Sequence, residues 1–237
     1  MQQQIIWEEL SKGKTLDELL DIFNNRNSFQ VEFAALLNGL FDKDRTCLTA
    51  IEVGSSFGVT SAHLDKRFNI SLLDLDLNAL NLAEKLFGFL GKEVNTYHLD
   101  MFKLGNITGE FDLLFNSGVL EHFNFDERVK ILTEMKKKLN PGGRIVIAIP
   151  NHYSLPYRLG YLYLNLVNRW PYPEEYKIYD FSSEVKQIDG LRQTVRLHIN
   201  KASIYDFLPL PLKLILQAVG KLVVFEGYLS VVVLENV

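Results

Sequence analysis

Five short apolar runs, spaced by helical stretches, constrain this chain more than any other feature. Residues 48–53, 70–75, 94–99, 111–116 and 144–149 each read as a strand of low polarity. Residues 60–68, 78–90 and 126–139 read as helices between them. Strands that are apolar on both faces must be covered on both, and the intervening helices supply the cover. Right-handed crossovers then leave a doubly wound parallel sheet as the simplest topology. The run Asn140-Pro141-Gly142-Gly143 stops the last of these helices and turns the chain into the fifth strand.

The flanks read differently. The first 45 residues are helical in pattern. Thr15 and Glu18 have capping-box spacing, and Leu16, Leu19, Leu20 and Phe23 follow as a stripe. A second helix is expected over 28–41, with Phe29, Phe33, Leu36, Leu37 and Leu40 on one face. After Pro150 the composition shifts to tyrosine, and 155–170 is amphipathic. Residues 191–199 suit a short strand. Residues 202–219 are broadly helical but interrupted by Pro209 and Pro211. Two β-rich runs, 221–225 and 228–234, flank Glu226-Gly227 like the arms of a hairpin. The expected architecture is an α/β, Rossmann-like, seven-stranded sheet closed by a C-terminal antiparallel hairpin. Residues 1–45 would form a helical cap and 46–237 the main domain, with a cap insertion at about 151–200.

Composition limits the function classes. Of 237 residues 47% are hydrophobic and 23% charged, enough to bury a sizeable core. A net charge of −4 disfavours a protein built to grip nucleic acid. The lysines Lys136, Lys137 and Lys138 end a predicted helix, where cations suit the dipole. The single cysteine, Cys47, excludes an intramolecular disulfide and reads as a small apolar residue before the first strand. The start MQQQIIWEEL lacks signal-peptide character, and no apolar window is long enough to span a bilayer. A cytoplasmic location is expected.

Chemistry concentrates at the strand ends. Ile51-Glu52-Val53-Gly54-Ser55-Ser56-Phe57-Gly58 joins the first strand to a helix. Gly54 and Gly58 permit a sharp turn and close approach of a ligand. Asp74, about 20 residues on at the second strand's end, suits ribose hydroxyls; Asp76 or Asn78 better suits the following helix cap. Asp100 at the third strand's end is placed to accept from an adenine amino group, with Met101 beside the ring. The turn does not match the Gly-x-Gly-x-x-Gly of nicotinamide enzymes, and bulky Phe57 disfavours a pyrophosphate there. No Walker-type loop is present.

Taken with Phe111-Asp112, Val119-Leu120-Glu121-His122-Phe123 and Pro141-Gly142-Gly143, this ordered set resembles the class I S-adenosylmethionine (SAM)-dependent methyltransferases. It is most similar to the small-molecule branch that includes ubiquinone-biosynthesis enzymes. The likeness covers residues 48 to about 151. It implies that Glu52 and Gly54 border the methionine moiety of SAM. Ser55, Ser56 and Gly58 would complete the loop. Asp74 with Leu75 would hold the ribose, and Asp100 with Met101 would flank the adenine. Asn116, Ser117 and Gly118 would line the floor beneath the sulfonium. The family often has a third glycine where Ser55-Ser56 stands here.

The resemblance implies methyl transfer to a small-molecule O, N or C acceptor, aromatic or apolar in character. The rival class is a non-catalytic SAM- or nucleotide-binding protein on the same fold. His122 is the first candidate for a general base, because an imidazole titrates near neutral pH; His152 and Tyr153 are alternatives. His63 and His198 read as structural or solvated. No His/Cys/Asp spacing indicates a metal site. The tyrosine-rich segment reads equally as a substrate lid or as an ordinary cap core or dimer surface. The expected partner is a small-molecule acceptor, without nucleic acid or stable membrane insertion, and a homodimer is left open.

Overall fold

The Val-, Ile- and Leu-rich runs become the buried centre of one sheet. The computed structural model describes residues 2–236. Its strands are β1 (Leu48–Val53), β2 (Phe68–Asp74), β3 (Asn95–His98), β4 (Phe111–Ser117), β5 (Leu139–Pro150), β6 (Leu191–Ile199) and β7 (Leu229–Asn236). They form one seven-stranded sheet in the order β3-β2-β1-β4-β5-β7-β6. β1 to β5 run parallel, whereas β7 is antiparallel to both β5 and β6. The doubly wound α/β expectation is borne out. Order reverses beside β1, and such a switch point opens a crevice at the carboxyl ends of the strands.

Helices cover both faces. Near the N-terminus lie α1 (Gln2–Ser11), α2 (Leu16–Asn24) and α3 (Phe29–Gly39). α4 (Val59–Ala62) and α5 (Leu77–Phe89) flank β2. One core joins Leu19, Phe33 and Leu37 to Leu80 and Phe87 of α5 and to Phe115 and Val146 of the sheet. The other joins Ile51, Val53 and Leu114 to Ile131 and Met135 of α6 (Phe125–Lys136) and to Phe181 and Val185 at α8 (Ser182–Val185). α7 (Leu155–Leu166) and α9 (Leu210–Val219) complete the helices.

Local chemistry sets the boundaries. Thr15 and Glu18 form the expected capping box, and Asn124 with Glu127 forms another at α6. Asp76 caps α5 through the N–H groups of Asn78 and Ala79. The lysine run falls at the end of α6, as expected.

Three local expectations are corrected. Residues 60–68 are not one helix: α4 stops at Ala62, and Phe68 already pairs with Leu48 in the sheet. Asp65 turns the chain by accepting from the Arg67 N–H at 2.9 Å, while its own N–H donates to Asn38. Residues 221–225 do not form a hairpin arm. Both edges of β7 are taken by β5 and β6, so the antiparallel partner comes from 191–199 and 221–225 has no edge to join. Leu222 and Val224 are consequently exposed. Cys47 is exposed as well, in a left-handed turn (φ 59°) before β1.

Candidate active site

A cavity of about 840 Å³ opens at the carboxyl ends of β1, β2 and β4. That volume suits a drug-sized ligand. Among its lining residues are Gly54, Ser56, Asp74, Leu75, Asp100, Met101, Ser117, Gly118 and His122. Nine sequence-predicted positions, from four strand ends, therefore meet in one place.

The loop after β1 is held by its backbone. Gly54 and Ser55 N–H groups both donate to the Leu73 carbonyl, at 2.8 and 3.0 Å. A Cβ on Gly54, at φ +72°, would stand 2.9 Å from Val119, so only glycine fits against that side chain here. Gly58 has φ +64°, and a Cβ there would meet Leu72 at 2.6 Å. Ser56 adopts φ 46°, a left-handed conformation unusual for a serine. Its N–H donates to Asp74 Oδ2 at 2.7 Å.

Asp74 carries a second bond, from the Asp76 N–H to Oδ1 at 2.9 Å. Burial raises its pKa, while those N–H bonds oppose the rise. Each oxygen accepts one bond and retains a lone pair for a ligand hydroxyl. Asp100 caps the 3-10 turn that follows it by accepting from the Phe102 N–H at 3.0 Å, which sets Met101 at the cavity wall.

Other predicted residues lie behind this surface. Glu52 is buried and accepts from Ser61, Oγ at 2.6 Å and N–H at 3.3 Å. Desolvation pushes its pKa up to about 8. Ser55 is buried and Gly58 packs on β2. Asn116 is fully buried, and neither amide atom has a hydrogen-bond partner among the described residues.

The three acid–base candidates separate. His122 lines the cavity and is 4% exposed. Its Nδ1 lies 3.0 Å from the Glu174 carbonyl. A carbonyl only accepts, so Nδ1 carries the hydrogen and Nε2 is the lone-pair nitrogen. Desolvation lowers its pKa, so the ring is neutral at pH 7. His152 is buried outside the lining, with Nε2 2.8 Å from Glu175 Oε2 but off the hydrogen-bond direction. Tyr153 packs on Tyr179 and beneath the Lys177 ammonium, also outside the lining. His63 stacks on Phe23 and His198 lies by Glu226, both structural placements.

Sequence reasoning missed the roof. Trp7 of α1 lines the cavity and contacts both the His122 ring (5.3 Å) and Tyr172 (5.9 Å). Ser11, at the end of α1, hydrogen-bonds to Asp76 across the opposite rim. The apolar run Ile5-Ile6-Trp7 in the opening segment was the available signal. Of the tyrosine-rich segment, Tyr172 reaches the cavity. Tyr157, Tyr161 and Trp170 instead pack with Phe207 and Tyr228 as an aromatic core.

Residues 51–147 match a family model described as a methyltransferase domain. Over this segment, 97 of the 237 residues, the chain is similar to methyltransferase domains. Solved structures agree in fold across the segment and its flanks. Magnesium protoporphyrin IX methyltransferase from Synechocystis PCC 6803, solved with bound SAH, superposes with a TM-score of 0.62 at 13% identity. The match covers 90% of this chain and 84% of that one. The N-methyltransferase NodS from Bradyrhizobium japonicum WM9, also with SAH, gives 0.57 at 13% identity over 93% and 97%. The mitomycin 7-O-methyltransferase MmcR gives 0.61 at 16% identity over 97% of this chain but 62% of its own. No curated protein sequence matches the chain. At these identities the likeness is one of fold.

Proposed function

We propose that the protein binds SAM in this cavity and transfers its methyl group to a small-molecule O, N or C acceptor. The convergence of Gly54, Asp74, Asp100 and Gly118 on one cavity carries the reading. The residues fit the cofactor. Gly54 lines the cavity, and Asp74 keeps a lone pair on each oxygen for a diol. When bound, SAM supplies an electrophilic methyl group on a sulfonium.

The chain's own part is positioning and exclusion of water. Asp74, with Leu75, holds the ribose; Asp100 and Met101 flank the adenine; Ser117 and Gly118 form the floor. Glu52, Ser55, Gly58 and Asn116 support that surface from behind. Residues 1–45 act as a cap, with Trp7 and Tyr172 forming the acceptor end beside His122. Nε2 of His122 is the nitrogen that accepts a proton from an acceptor. The 151–200 insertion backs this end with Tyr172 and Glu174. Small aromatic walls favour a ring-bearing or apolar acceptor over a nucleic acid, as does the net charge of −4. A cytoplasmic location suits such a metabolite, although the structure itself only adds that no helix among the described residues is long and apolar enough to cross a membrane.

The test is SAH release from SAM in the presence of a small-molecule extract, a protein fraction and an RNA fraction. Release with the first, lost in Asp74→Ala, is the expected result. Release only with protein or RNA would move the acceptor to a macromolecule, and release with none would favour a binding role.

A further inference from the structure

Two glutamates from distant parts of the chain meet behind the inner wall of the cavity, together with two histidines. Glu121 and Glu175 are 1% and 8% exposed, and His122 and His152 are likewise buried. One ligand-capable atom from each of Glu121, His122 and Glu175 lies within 4.8 Å of the others. His152 Nε2 stands 2.8 Å from Glu175 Oε2.

The backbone builds this juxtaposition. The Tyr176 N–H donates to the Glu121 carbonyl at 2.7 Å, and His122 Nδ1 lies 3.0 Å from the Glu174 carbonyl. Residues 174–176 are thereby fixed in register against 121–122. The bond at Nδ1 also turns Nε2 inward, 3.9 Å from Glu121 Oε1. A ring N–H tied to a backbone carbonyl is the usual outer support of a metal-ligating imidazole.

Glu175 Oε2 accepts from the Tyr157 hydroxyl at 2.7 Å, but other polar atoms of the cluster are left over. Glu121 Oε2 is buried and accepts no hydrogen bond among the described residues. His152 Nε2 is buried and has no hydrogen-bond partner either, although it faces Glu175. Buried polar atoms in that state call for a further partner. A divalent ion between the two carboxylates would supply that partner.

We propose that Glu121, His122 and Glu175, with His152 beside Glu175, form a binding site for one first-row divalent metal ion, Zn²⁺ or Mn²⁺. Mixed imidazole and carboxylate donors suit these ions better than Mg²⁺ or Ca²⁺. Entry is from the cavity. His122 lines it, and Glu121 Oε1 lies 3.7 Å from where a Cβ on floor residue Gly118 would stand. A bound ion takes His122 Nε2 as a ligand and withdraws it from proton transfer. Metal binding is measured without SAM, so its failure is distinguishable from failure of the methyl-transfer reading.

The full chain, stripped of metal, is titrated with Zn²⁺ and with Mn²⁺ by calorimetry, Mn²⁺ also by electron paramagnetic resonance. The expected result is one saturable site per chain and a higher Tm with metal. Affinity falls at least about tenfold in Glu121→Gln and in Glu175→Gln. Glu121→Gln replaces a buried carboxyl by an amide of the same size, so it is expected to fold and carries the comparison even if Glu175→Gln does not. His98→Gln, at an exposed histidine, controls for surface binding and leaves the site intact. No saturable site, or equal binding by wild type and Glu121→Gln, would overturn the assignment.

Discussion

Ser56 and Asp74 are locked together: the Ser56 N–H donates to Asp74 Oδ2 at 2.7 Å while Ser56 holds φ 46°. The bond closes the loop after β1 onto the end of β2 and offsets the cost of a left-handed serine. That cost is about 1–2 kcal/mol for an L-residue.

Ser56→Gly keeps the N–H and removes the strain. Its Tm is expected to equal or exceed that of wild type, by up to about 1 kcal/mol in stability. SAM affinity should stay within about threefold, because the backbone supplies the contact. Calorimetry and thermal melts check both. A large loss of affinity would show that the hydroxyl, not the backbone, serves the ligand.

Glu52 makes stability depend on pH in a specific direction. Its folded-state pKa is about 8, against an ordinary value of 4.5. Below the ordinary value both states are protonated and nothing is lost. Between the two values the unfolded state releases the proton while the folded state holds it, so stability falls as pH rises. Glu52→Gln has no such titration. Relative to wild type it should gain stability from about pH 4.5 to 8, on the order of a few kcal/mol. Chemical denaturation across that range would show a flat difference if burial did not raise the pKa.

Replacement of His122 by Gln should separate binding from turnover. SAM affinity is expected to change little, since the ring is proposed to serve the acceptor end, whereas kcat should fall by roughly 10²–10⁴. A loss below about threefold would reduce His122 to a packing role beside Trp7.

Trp7→Ala tests the roof. Loss of its contacts with His122 and Tyr172 should raise the acceptor KM on the order of tenfold, with SAM affinity nearly unchanged. A matching loss of SAM affinity would place Trp7 over the cofactor instead.

The parts legible in the sequence were those fixed by local chemistry. Apolar runs marked the parallel strands, because burial on both faces forbids polarity. The glycine loop, Asp74 and Asp100 stand at strand ends, where topology alone brings them together. Thr15 with Glu18 announced a cap through spacing. What escaped depends on distance in the chain. Residues 221–225 have the composition of a strand, but β7 had no edge left to offer them. Glu175 reaches Glu121 only because 174–176 docks on the turn after β4, a contact with no local signature. Trp7 joined the cavity through the packing of α1, which neither propensity nor periodicity specifies.

The most direct measurement is calorimetric titration of the purified chain with SAM, repeated on Asp74→Ala. The account predicts saturable binding by wild type and a loss of at least about tenfold in the variant, since the carboxylate proposed to hold the ribose and the tether to Ser56 go together. Well-folded wild type that does not bind SAM, or a variant that binds it as tightly, would contradict the assignment of this cavity.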